Sequence, residues 1–338
     1  MKKLLLVLMS ALLVASVSAQ DDLFTLAADE PIVEPGRAND WDAPYTDPGA
    51  IFFHDGLFHM FRNGFKGWPA SVQIGYMTSE DGVTWTEVSE DPVMETRDVP
   101  YAGTAALASD ALVLEDGTWV LYFYTWETRE PSMSPGAIGR ATAPAPTGPW
   151  TADAETILNP GSEGSWDELR LSAPRIVRTE DGYRMYYTGY DASGIGSGRI
   201  GMATSSDGIT WTKYDDLATT NAPYAESDPV LMPPEGIADA NQPMVEITPD
   251  GWVMIFRQVD FSERPAQMSL NYALSDDGID WQIASEMPFW ERTTVPGSMG
   301  FWYTAMEYHD DTYYLYVETG VGRGTNIFVA THEGALAG

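Results

Sequence analysis

The chain has 338 residues, with 50 acidic residues against 18 lysines and arginines, a net charge of −32 and no cysteine. A surface this negative repels nucleic acid and anionic membranes, and it serves solubility rather than any specific cationic partner. Without cysteine there is no disulfide and no thiol chemistry, while a hydrophobic content of 44% with 12% aromatics can fill a sizeable core.

At the N-terminus, Lys2-Lys3 precede an apolar run from Leu4 to Val14 and the small residues Ala15-Ser16-Val17-Ser18-Ala19. This order predicts a signal peptide over 1–19, cleaved after Ala19, and a secreted or periplasmic protein free of the membrane after cleavage. The apolar run is too short to span a bilayer comfortably.

From residue 20 onward the chain repeats. Ser79-Glu80-Asp81-Gly82-Val83-Thr84-Trp85 returns as Ser205-Ser206-Asp207-Gly208-Ile209-Thr210-Trp211 and as Ser275-Asp276-Asp277-Gly278-Ile279-Asp280-Trp281, with a degenerate copy ending at Trp150. Each unit opens with an apolar run (Ala50-Ile51-Phe52-Phe53 in the first) that ends in a tight turn: Asp55-Gly56, Asp116-Gly117, Asp181-Gly182, Asp250-Gly251 and Asp310-Asp311. Asp-Gly between apolar runs is a strong hairpin signal, because both turn residues must accept positive φ. An aromatic-rich second strand and a third strand follow in every copy. Asp91-Pro92-Val93-Met94, Thr156-Ile157-Leu158-Asn159 and Asp228-Pro229-Val230-Leu231 read as fourth, outer strands.

Five such copies predict an all-β, five-bladed β-propeller with four antiparallel strands per blade. Its blades span about 47–99, 104–161, 170–234, 240–295 and 302–338 of one domain over 20–338. The fifth copy lacks an outer strand. Glu30-Pro31-Ile32-Val33-Glu34-Pro35 resembles one, so the segment 29–36 is expected to close the last blade and leave no open sheet edge. The repeat specifies no oligomeric state.

In a propeller, the first strand of each blade lines the central axis and its entry end faces a shared mouth. Aligned on the turn glycines, Pro48, Ser109, Pro174 and Pro243 take equivalent places, which puts Asp47 and Asp110 near the mouth on adjacent blades. Core packing does not explain polar residues at the start of an innermost strand. The loop Gly164-Ser165-Trp166-Asp167-Glu168-Leu169-Arg170 reaches the mouth before blade three, where Trp166 could raise the pKa of Glu168 by desolvation, as a general acid requires.

Trp41, Asp42, Trp166 and Arg170 on the entry loops suit sugar binding, as do Arg62 and Arg175 and the mouth residue Gln242. Carboxylates and arginines bond vicinal hydroxyls, while aromatic faces cover the apolar side of a sugar ring. For each aromatic, packing between blades is the competing role. Glu307 either faces the channel as a third carboxylate or pairs with an arginine. The four histidines show no metal-ligand spacing, and no cofactor is required. The acidic axial channel could hold a structural Ca²⁺. Gly194-Ile195-Gly196-Ser197-Gly198 joins two strands of one blade and reads as a hairpin loop, since no helix follows it.

The Asp-Pro before the first strand, the Asp one place after the blade-two Ser109 position and the Ser-x-Asp-Gly-x-x-Trp boxes together resemble the five-bladed β-propeller glycosidases of glycoside hydrolase families 43, 32 and 130. The likeness runs along the whole chain after the signal peptide, and the closest motif match is to family 43. That resemblance implies Asp47 as general base or nucleophile and Asp110 as an orienting and pKa-tuning carboxylate. It also implies a glutamate acid two places before the blade-three proline, where this chain has Ser172. Glycoside hydrolysis uses two carboxyl groups across the scissile bond, so Glu168, with Asp167 behind it, is the expected acid. The implied function is hydrolysis of a glycan or oligosaccharide at the axial pocket. The alternative is a carbohydrate-binding or interaction propeller that has lost its general acid.

Overall fold

The computed structural model describes residues 23–67, 72–262, 264–322 and 324–336, so the expected signal peptide lies outside the described residues. Five antiparallel sheets follow one another along the chain. Blade one is β2 (Tyr45–His54), β3 (Leu57–Phe65) and β4 (Val72–Ser79), edged by β5 (Trp85–Glu87) and β6 (Met94–Glu95). Blade two is β7 (Ala105–Val113), β8 (Trp119–Trp126), β9 (Ile138–Ala143) and β10 (Thr151–Ala152). Blade three is β11 (Arg170–Thr179), β12 (Gly182–Tyr190) and β13 (Arg199–Ser205), edged by β14 (Thr212–Lys213) and β15 (Pro229–Leu231). Blade four is β16 (Asp239–Thr248), β17 (Gly251–Asp260) and β18 (Gln267–Ser275), edged by β19 (Gln282–Ile283) and β20 (Trp290–Glu291). Blade five is β21 (Phe301–His309), β22 (Thr312–Thr319) and β23 (Asn326–Glu333), and β1 (Thr25–Leu26) closes it.

The outer edge of a blade is two short pieces rather than one strand. In blade one, β5 pairs with Met77–Ser79 and β6 with Gln73–Ile74 on the same neighbour. Blade five repeats this with the N-terminal segment: Thr25 and Leu26 pair with Thr331 and Ala330, and Val33 bridges Ile327. The closure expected from 29–36 is therefore made by a pair of contacts, and the sequence showed only the second of them. Among the turns, both residues take positive φ at Asp55-Gly56 and at Asp310-Asp311, whereas at Asp181-Gly182 and Asp250-Gly251 only the glycine does.

The core lies between blades. One apolar cluster joins blade one to blade two through Phe61, Ile74, Leu121 and Phe123, and comparable clusters occupy the other interfaces. The repeated boxes tie these wedges together. In the first, the amides of Val83 and Thr84 donate to Asp81 at 2.8 and 2.6 Å, and Gly82 takes φ 73°. The Gly82 carbonyl accepts the Trp85 indole of its own box at 3.2 Å and, on its other side, the Tyr316 hydroxyl of blade five at 2.8 Å. Tyr122 of blade two reaches Gly208 at 3.0 Å, and Tyr186 of blade three reaches Gly278 at 2.6 Å. Phe61 meets the degenerate box edge-on at Trp150, with ring centroids 5.4 Å apart, and brings no hydroxyl to it. The boxes are inter-blade locks, which explains their period.

Candidate functional site

All five innermost strands break their ladder at the same level. Register shifts fall between Asp47 and Ala50, Ala108 and Asp110, Ser172 and Arg175, Asn241 and Met244, and Phe301 and Thr304. Pro48, Ser109, Pro174 and Pro243 are the bulge residues themselves. Proline is tolerated there because a bulged residue donates nothing to the ladder. Asp47 and Asp110 consequently lie on opposite sides of the bulge, not at one depth.

Below the bulge, the axis holds an ionic cluster. Arg175 sits 3.1 Å from Asp110 and 3.7 Å from Glu307, and it contacts Glu246. Asp110 also accepts the amides of Ile176 at 2.5 Å and Ala111 at 2.8 Å, and Glu307 accepts the amide of Phe53 at 3.0 Å. Burial raises the pKa of all three carboxyls, most for Glu307, where the neighbouring Glu246 adds to it. Glu307 thus pairs with an arginine, and a guanidinium takes the centre of the acidic channel. Among the described residues, no group of three or more His, Asp or Glu side chains is arranged to hold a metal ion.

Above the bulge lies a cavity of about 440 Å³, a size that suits a small ligand. Tyr45, Phe65, Tyr124, Trp126, Tyr190, Phe261, Trp302 and Tyr303 supply its aromatic wall. Ser172, Asn241 and Gln242 stand at the bulge edge, with Arg170, Asp239, Arg257 and Glu318 as its charged groups. The backbone there is unusual: Ala173 and Gln242 take φ of 49° and 52°. Gln242 donates its amide to the Thr188 hydroxyl at 2.9 Å and accepts from Thr304 at 3.3 Å.

Glu318 is the penultimate residue of β22, and one of its oxygens accepts the Tyr303 amide at 3.2 Å. Burial, and then the charge of Asp47, push its pKa well up. Asp47 is 1% exposed. Its Oδ1 accepts the Gly49 amide and the Asn63 side chain, each at 2.8 Å, while its Oδ2 has no partner. Burial raises Asp47 to about 7 against the bonds from Asn63 and Gly49. It stands behind Tyr124 and Tyr303, both of which feel its charge. Asp239 is fully buried; the amides of Gly196 and Gly198 hold its Oδ1 at 2.9 and 2.6 Å, and its Oδ2 is also unpartnered. The glycine-rich loop of blade three is therefore the clamp for an acid of blade four.

The other expected residues have structural partners. Glu168 accepts the amides of Gly164 at 2.5 Å and Ala192 at 3.1 Å and does not line the cavity. Asp167 is buried against Lys213 at 2.6 Å. Trp166 is fully buried and donates to the Ser227 carbonyl at 2.9 Å. Arg62 bonds Asp42 at 2.6 Å and Glu87 at 2.8 Å, and stacks on Trp41 at 4.6 Å. These residues form one device used twice, Pro35-Gly36-x4-Trp41-Asp42 and Pro160-Gly161-x4-Trp166-Asp167. In each, the indole lies on two strand glycines, Gly64 and Gly75 or Gly189 and Gly201, where an added Cβ would come within 2.3 to 2.7 Å of the ring. The aspartate takes a cation, Arg62 or Lys213. Of the expected binding residues, Arg170 and Gln242 line the cavity and Trp41, Asp42, Arg62 and Trp166 do not.

Sequence reasoning missed Glu318, Asp239 and Arg257. The available signal was a charged residue following an aromatic and apolar run within a strand, in Tyr313-Tyr314-Leu315-Tyr316-Val317-Glu318 and in Trp252-Val253-Met254-Ile255-Phe256-Arg257.

The sequence matches no protein-family model. Nor does it match any curated protein at a significant level. The fold does match solved structures. One described as belonging to the GH130 family of mannoside phosphorylases, which contains glycoside hydrolases targeting β-1,2 mannosidic linkages in Candida mannan, aligns with a TM-score of 0.68 at 18% identity, over 93% of this chain and 96% of that one. A glycosyl hydrolase from Bacteroides ovatus aligns at 0.67 and 18% identity, over 92% and 93%. A thermostable family-43 glycoside hydrolase aligns at 0.59 and 14% identity, over 88% and 92%. The chain is a five-bladed β-propeller whose fold is shared, at low identity, with glycoside hydrolases of the family 43 and 130 type.

Proposed function

We propose that this protein is an exported glycoside hydrolase acting on a glycan at the cavity above the bulge, with Glu318 as the proton donor and Asp47 as the second carboxylate. The observation that carries this reading is a pair of buried carboxyls in different environments, Glu318 on the cavity wall and Asp47 behind Tyr124 and Tyr303. Asp47 gives up its proton near pH 7 and Glu318 holds its own well above the usual range. Carboxyls pushed apart in this way divide the acid and base roles. Protonated Glu318, on the cavity wall, gives a proton to the leaving oxygen. Ionised Asp47, 1% exposed, takes one from a water admitted past Tyr124 and Tyr303 to its unpartnered Oδ2. Asp110, which fixes Arg175 and Ile176, positions the blade-three bulge next to Ser172 rather than touching substrate.

Ser172 favours a second reading. It lines the cavity where the resemblance to family 43 implies a glutamate, as in a propeller that binds sugar without cleaving it. A panel of nitrophenyl glycosides and plant or algal oligosaccharides separates the two. Under the first reading, Glu318→Gln lowers kcat by about a hundredfold or more with binding retained. Turnover unchanged in Glu318→Gln removes Glu318 from the chemistry. Binding without turnover in the parent protein supports the second reading.

A further inference from the structure

Arg170 and Arg257 are the two arginines of the cavity wall. With 50 acidic residues available, Arg62, Arg140 and Arg175 are each tied to carboxylates. Arg170 and Arg257, both on the cavity wall, make no ion pair among the described residues. Arg170, 4% exposed, is held by the carbonyls of Pro131 at 2.5 Å and Ser134 at 3.2 Å and lies 4.6 Å over the Tyr190 ring. Its Nε has no partner. Arg257 donates Nε to Asn241 Oδ1 at 2.9 Å and Nη1 to the Trp302 carbonyl.

Carbonyl and amide oxygens fix a guanidinium without neutralising it. The planar fork is thus oriented in advance and keeps its charge, which is the arrangement that receives an anion bidentately. Burying such a group without a counter-ion is costly, and a ligand anion offsets that cost. The long-range field of this acidic protein opposes anions, so only a local charge surplus could retain one. Asp239 is the carboxylate that faces both guanidiniums, and each acts on its charge. Its Oδ1 is already committed to two glycine amides. Glu318 adds no compensating charge while it holds its proton.

We infer that Arg170 and Arg257 form an anion-selecting subsite, and that the sugar bound in this cavity carries a negatively charged substituent such as a uronic acid carboxylate or a sulfate ester. This rests on the proposed carbohydrate site and narrows its substrate class. The test is ligand-observed NMR titration of the full chain after signal cleavage, in phosphate-free buffer. The probes are methyl glucuronide and methyl galacturonide, galactose 6-sulfate, and the neutral methyl glucoside and methyl galactoside. At least one anionic probe should bind about ten- to a hundredfold more tightly than its neutral parent. Preference for the uronides or for the sulfate identifies the substituent. Arg257→Gln should erase the preference by weakening the anionic probes far more than the neutral ones, and Arg257→Lys should restore part of it. Arg170 ties two carbonyls, so its replacement is reserved for confirming the effect after circular dichroism shows an intact fold.

Equal binding of the neutral and anionic members overturns the subsite and leaves the carbohydrate reading standing. Absence of binding by every sugar overturns both. Tight binding of inorganic phosphate with no preference among the sugars also overturns the inference.

Discussion

Replacing Asp47 with asparagine should stabilise the protein at alkaline pH and leave it nearly unchanged at acid pH. Asparagine keeps an oxygen for the Gly49 amide and the Asn63 side chain, and it puts an amide where the unpartnered Oδ2 stood. The carboxyl titrates at about 7 in the fold against 3.8 as an unperturbed group. A group raised by folding supplies stability that is complete below its unfolded pKa and lost as pH climbs to the folded one. For Asp47 that window runs from 3.8 to about 7. Three pH units correspond to about 4 kcal/mol, so the asparagine variant should gain up to about that much by pH 8 and differ little at pH 4. Urea titrations of both proteins at pH 4.5, 6, 7.5 and 9, with m-values compared at each, measure it. A stability difference that is constant across that range would refute the account of Asp47 as a desolvated acid. The same variant should lose turnover, so its gain in stability would come at the expense of function.

Other consequences follow from the same geometry. Turnover should rise with pH through about 7 as Asp47 ionises, and a pH–rate profile flat between 5 and 8 would count against its role as the base. Tyr186→Phe and Tyr316→Phe should each cost about 1 kcal/mol, because the Gly278 and Gly82 carbonyls lose their hydroxyl donors; equilibrium unfolding reads this directly. Arg175→Met leaves Asp110, Glu246 and Glu307 without their cation, which should destabilise by about 3–5 kcal/mol. The loss should be larger at pH 8 than at pH 5, since protons can take the place of the guanidinium at acid pH. Trp166→Ala should cost about 3–5 kcal/mol, while sugar binding by the fraction that remains folded stays intact.

The architecture was legible because repetition averages over local ambiguity. The box Ser-x-Asp-Gly-x-x-Trp reports a hydrogen-bond pattern that closes within seven residues, so it survives as sequence. Its partner tyrosines also leave a trace. Tyr122, Tyr186 and Tyr316 stand where a box in the next blade offers a glycine carbonyl, and Phe61 stands where the next box is degenerate. The site was less legible because it depends on depth along a strand. Counting back from the turn found the bulge, but a bulge shifts the register, and residues one or two places apart in the count fall into different compartments. Trp41-Asp42 and Trp166-Asp167 have the composition of a sugar site, and only the glycines beneath the indoles reveal that they are packed. Glu318 and Asp239 reach the cavity from a second strand's end and an inter-blade clamp, neither of which the count from the turn examines.

The bulge gives the axis two electrostatic regimes, one suited to holding the blades together and one suited to the proposed chemistry. Below it, Arg175 is matched with Asp110, Glu246 and Glu307, carboxyls from three other blades. That cluster fixes the relative positions of blades two to five. Above it, the charged groups are fixed by backbone amides and carbonyls instead: Asp239 by glycine amides, Glu318 by the Tyr303 amide, Arg170 by two carbonyls. Such partners orient a charge and leave it available, which a site for chemistry requires. The same contrast separates Asp110 from Asp47. Asp110 is bonded through both oxygens and faces an arginine, whereas Asp47 has one oxygen free. Of the two carboxylates that the resemblance singles out, only Asp47 keeps an oxygen without a protein partner, and that oxygen is buried.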